Sequence, residues 1–122
     1  MSFITRLWKG TFTWLLGLLW HSPEPAKTYL TVRQIHGDLF PAKIPVNCLV
    51  ELLDDDPYAA ALNCPCGCGE TIEIMLMEGV QPRWDITIDA NNRPTLHPSV
   101  WRKTGCRAHF WVHSGEIVWC KQ

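Results

Sequence analysis

Asn63–Met77 reads NCPCGCGETIEIMLM, and its two halves obey different rules. In the first, Cys64, Cys66 and Cys68 stand at every second position, with Pro65, Gly67 and Gly69 among them. Glycine lets the backbone turn tightly, and proline stiffens it. In the second half, Ile72, Ile74 and Leu76 alternate with Thr71, Glu73, Met75 and Met77. That period of two is a strand with one buried face. A thiol-rich knuckle running straight into a strand predicts a β domain whose loops carry its chemistry.

The same pattern extends outward. Thr28–Ile35 is rich in β-formers, Val46–Leu53 is an apolar run, and Tyr58–Leu62 leads back to the cysteines. Asp54–Pro57 separates the last two as a turn, since Asp and Pro favour turn conformations. Trp84–Asp89 alternates, Ala90–Asn92 turns and Pro94–Leu96 returns. His109–Val112 and Ile117–Cys120 flank a Gly-containing turn at His113–Glu116. The expected fold is mainly β. It is a small antiparallel β domain over residues 26–122 with two metal-binding knuckle loops. An N-terminal amphipathic helix and Pro linker, residues 1–25, precede it.

With 122 residues, 47% apolar and 19% charged, the chain is long enough for one domain with a core. Its net charge is −1 and it has no basic run, so general nucleic-acid binding is not expected. Seven tryptophans offer large amphipathic surface to a core or to a protein partner.

The first residues differ in kind. Arg6 and Lys9 precede a ten-residue, mostly apolar run, Thr11–Trp20, and Pro23 and Pro25 end it. Ile4, Leu7, Trp8, Thr11, Leu15 and Leu18 share a helical stripe, although Gly10 and Gly17 weaken it. The run is half the length of a membrane span. A signal peptide would have this charge order, yet the segment after Trp20 is a poor cleavage site. Two readings stand level: a helix packed on its own domain, and an interfacial or partner-binding helix with peripheral membrane contact through residues 3–20. The expected location is cytoplasmic, at the membrane periphery if the interfacial reading holds.

A second loop, Gly105–Phe110 (GCRAHF), spaces Cys106 and His109 as C-x-x-H. Structural zinc takes four ligands tetrahedrally, commonly four cysteines or three with a histidine. Neither loop alone fills such a site, but together Cys64, Cys66, Cys68, Cys106 and His109 offer five donors. The expected set is Cys106, His109 and two of the three knuckle cysteines. A set of four cysteines, with His109 hydrogen-bonding one of them, is the alternative. His109 as an ordinary core histidine is the bland reading. Cys120 can approach the site, whereas Cys48 lies in an apolar run and reads as a small hydrophobe. His113 is expected in a turn, and His97 as structural or exposed. The expected cofactor is one Zn²⁺, with iron less expected. A Rieske-type cluster needs histidines that the first loop lacks. A disulfide framework is the weakest alternative, because three cysteines this close do not pair with one another easily.

Enzymatic readings have thinner support. Glu70 follows the knuckle and Glu73 is three residues further along, where a base for a zinc-bound water would be sought, but neither is compelling and the default is a solvated strand face. Cys106, beside Arg107 and near His109, is the best candidate for an activated thiolate.

The order CPCGCGETIEIML, PRW, TLHPSVWRKTGCRAHFWV and GEIVWC resembles a small bacterial and phage domain-of-unknown-function family, over Ala59–Cys120. That family's pattern is a CPCGCG knuckle, a P-S-[VI] segment and a C-R-[SA]-H-[FY] loop. The resemblance implies a metal-binding β domain. It further implies a bacterial or phage setting, with some members linked to ubiquitin-like conjugation or defence gene clusters. Cys64, Cys66, Cys68, Cys106 and His109 match its donor positions, and Pro98, Ser99 and Trp119 match its structural part. The resulting expectation is a zinc-stapled adaptor module with a protein partner. The alternative is a zinc hydrolase or thiol-dependent transferase in a ubiquitin-like pathway.

Overall fold

A computed structural model describes residues 28–121. The helix and linker expected at 1–25 lie outside these residues. Within them the chain is all β. β1 (Thr31–His36), β2 (Cys48–Asp54), β3 (Asp56–Asn63) and β4 (Thr71–Met75) form one sheet in that order. β5 (Asp85–Ile88) pairs with β6 (Pro94–His97). β7 (Val100–Trp101), β8 (His109–His113) and β9 (Glu116–Trp119) form a third sheet in sequence order.

All pairings are antiparallel except β1 with β2, which is parallel. A parallel pair needs a crossover rather than a tight turn. Residues 37–47 supply it, and their Phe40 and Ile44 pack against Cys48, Val50 and Ala61 on one face of β2 and β3. The opposite faces join the main core through Leu49, Ala60 and Leu62. β2 is therefore buried on both sides from Cys48 to Leu53, which is why VNCLVELL shows no alternation. Ala59, Ala60 and Ala61 are the small residues that fit β3 between the two layers.

This double burial takes in Glu51, which is fully inaccessible. Its register partner on β1, Gln34, donates from Nε2 to Oε1 at 2.8 Å. Oε2 has no hydrogen-bond partner.

β4 keeps the expected parity, with Ile72, Ile74 and Leu76 buried. On β8, Phe110 and Val112 enter the same core, so His109, Trp111 and His113 face outward. β1 begins at Thr31, later than the β-rich stretch suggests. Leu30 N instead donates to Gly115 O at 2.8 Å, tying the entering chain to the β8–β9 turn. That turn has two central residues with positive φ, Ser114 (47°) and Gly115 (78°), the hand that matches strand twist.

Candidate functional site

The knuckle is the β3–β4 hairpin loop. Asn63 pairs with Thr71, and inside that pair Cys64 N donates to Glu70 O at 2.9 Å. Gly67 N then donates to Cys64 O at 3.2 Å. Gly67 (φ 86°) and Gly69 (φ 85°) hold a left-handed backbone that other residues adopt only at a cost. The second loop is the β7–β8 hairpin, closed by Arg102 N to Ala108 O at 2.8 Å. Two hairpins from different sheets thus present their tips to each other.

Their cysteines meet. The sulfurs of Cys64, Cys66, Cys68 and Cys106 all lie within 4.8 Å of one another. Cys64 Sγ is 3.3 Å from Cys66 Sγ and 3.5 Å from Cys106 Sγ, and none forms a disulfide. Zinc–sulfur bonds of about 2.3 Å put tetrahedral thiolates roughly 3.8 Å apart, so the donor set fits one ion. Cys64 is buried beside the core and the other three are exposed.

As free thiols the four do not share charge equally. Cys106 is brought down to about 6, chiefly by the Ala108 backbone N–H, with the three neighbouring thiols adding to the effect. Cys66 is pushed up to about 12, first by its hydrogen bond with Cys64 and then by Cys68. Burial raises Cys64. Arg102 lies over the cluster: Nη1 donates to Cys106 Sγ at 3.2 Å and to Cys68 Sγ at 3.6 Å. Its Nη2 bonds Glu70, an ion pair that spans the two hairpins.

His109 is turned elsewhere. The close group contains four cysteines and not this histidine. Its Nε2 lies 2.9 Å from Ser99 Oγ, and its ring stacks on Trp101 at 4.8 Å and 11°. Trp101 is its register partner across β7–β8, and Lys103 Nζ sits 3.1 Å from the centre of the same indole. Pleating explains the separation. Phe110 and Cys64 belong to the same core cluster, and His109 projects from the opposite face of β8. Cys120 is half-buried and outside the close group, and Cys48 is buried at the far side of β2. Burial raises the Cys48 thiol, with Arg33 offsetting part of the effect. Glu70 is engaged by Arg102, and Glu73 is an exposed strand residue.

Ser99 falls in the segment that the family resemblance implies to be structural. A single serine ten residues before a histidine carries no chemical signal. The β7–β8 register brings the two together.

The model of the bacterial ubiquitination-like system serine protease (BubE) family matches residues 37–120. The chain belongs to that family. The match spans both hairpins, Ser99 and His109, and bears out the link to bacterial ubiquitination-like systems. No curated protein and no solved structure matches the chain. Among the described residues no helix is long and apolar enough to cross a membrane.

Proposed function

We propose that this chain is a serine peptidase of a bacterial ubiquitination-like system, with Ser99 as nucleophile and His109 as general base. The observation that carries this reading is the 2.9 Å contact between Ser99 Oγ and His109 Nε2, in a family described as serine proteases. With the ring proton on Nδ1, Nε2 accepts the hydroxyl proton as Oγ attacks a peptide carbonyl. The imidazolium then gives that proton to the departing amine, leaving an acyl group on Ser99. Water, deprotonated by the same Nε2, releases the acid and restores the hydroxyl. Trp101 stacks on the His109 ring and holds it flat.

In the same reading Cys64, Cys66, Cys68 and Cys106 hold one zinc ion. A bound zinc would supply folding energy and cross-link the two hairpins, with no open position for substrate. That argues against the zinc-hydrolase alternative, and a thiolate held as a ligand is withdrawn from transferase chemistry. Ser99 and His109 flank the β7–β8 hairpin, so fixing Cys106 and Arg102 at its tip steadies both. The protein partner is then the substrate, met by the outward face that carries His109, Trp101 and Trp111.

A fluorophosphonate probe tests the pair directly. Labelling should map to Ser99 and disappear in Ser99→Ala. Labelling of the wild type that fails to occur, or that survives in Ser99→Ala, would overturn the assignment.

A further inference from the structure

Beside the Ser99–His109 pair, the outward surface contains a groove of about 360 Å³. Leu96 and Val112 form its floor, and His97, Trp111, His113 and Val118 wall it. Trp111 and Val118 face each other across β8–β9, and both are large apolar side chains left 40% and 46% exposed. Together they leave a small apolar patch on the outward surface. The His97 and Trp111 rings, 6.0 Å apart, bridge β6 to β8 and close one side.

The groove neighbours the pair in sequence along two chain segments. His97 lies two residues before Ser99, and Trp111 two after His109 on the same face of β8. Two strand residues span about 7 Å, the length of two residues of an extended peptide. A substrate whose carbonyl rests at Ser99 and that runs along β8 would lay a side chain two or three residues away over Trp111.

We propose that this groove is a specificity subsite that takes an apolar side chain of an extended peptide substrate, two or three residues from the bond that is cut. The inference rests on Ser99 and His109 being the catalytic pair. The Leu96 and Val112 floor with the Trp111 and Val118 sides favours leucine-like groups over serine by desolvation, worth roughly tenfold or more in kcat/KM. The two histidines sit at the walls, so an acidic side chain is the competing occupant.

Glycine-based fluorogenic peptides would carry leucine, serine or glutamate in turn at each of three positions on either side of the scissile bond. The expected result is one position at which leucine exceeds serine and glutamate about tenfold, with Trp111→Ala and Val118→Ser each erasing the difference. Equal rates at every position, a glutamate preference, or a leucine preference that survives both variants would overturn the subsite. If the wild type cuts none of the peptides and no probe labels Ser99, the catalytic reading fails on its own. The subsite is then decided by binding to Ser99→Ala protein. Saturable movement of the Trp111 indole N–H resonance with the leucine peptides, and not the serine ones, supports it. No movement with any peptide overturns it.

Discussion

Trp101 lies flat against His109, with ring centroids 4.8 Å apart and an angle of 11° between the planes. The two are directly opposite across β7–β8, so backbone pairing sets the stack. Aromatic pairs of this kind contribute about 0.5–1.5 kcal/mol beyond the area they bury. If the stack orients the imidazole toward Ser99, Trp101→Ala should lower kcat about two- to tenfold. Trp101→Phe, which keeps a ring in place, should recover most of the loss. Steady-state kinetics on a cleaved peptide, with folding checked by circular dichroism, decides this. Equal losses in both variants would show that the ring does not orient His109.

The sulfur cluster predicts about one zinc per chain by elemental analysis, held by thiolates. Chelation should then lower the thermal midpoint sharply, because metal binding and folding are linked. Cys64→Ser and Cys106→Ser should lose the ion, whereas Cys120→Ser should keep it, since that thiol stands outside the close group. Cys48→Ala should also keep it and cost only about 1 kcal/mol of packing.

Thiol reactivity of the metal-free protein gives a separate test. With Cys106 brought down to about 6 and Cys66 pushed up to about 12, the thiolate at neutral pH resides on Cys106. Only a thiolate is alkylated efficiently. Iodoacetamide should modify Cys106 first at pH 7, with a rate that falls as pH drops through about 6, read by peptide mass spectrometry. Cys66 should stay unmodified until strongly alkaline pH. Zinc should protect all four cysteines.

Gly115 is a purely structural position. Its φ is 78°, and a Cβ there would come within 2.6 Å of Leu30 O. Gly115→Ala forces either the hairpin or the entering chain to shift and should destabilise by about 1–3 kcal/mol. Urea denaturation would show this, while the zinc content of the folded protein stays unchanged.

Much of the strand pattern is legible in the sequence because half-buried strands alternate. Ile72, Ile74 and Leu76 announce the face of β4 that enters the core. β2 is legible only as an apolar run, because burial on both sides erases the period. Its parallel pairing with β1 depends on the crossover folding back over it. β7 is two residues long and leaves no pattern to read.

The sequence by itself determined the material of the site. Cysteines closely spaced between glycines, and another in a glycine-led loop, can be gathered by two tight turns, and local chemistry is enough to say so. Only the tertiary structure decided how the donors divide. Phe110 turns inward to the core that also holds Cys64, and pleating then sends His109 to the opposite face. The β7–β8 register delivers that histidine to Ser99, a residue with no chemical signature of its own. The division depends on which way each strand faces, and that is fixed by packing across three sheets and not by the spacing of residues along the chain.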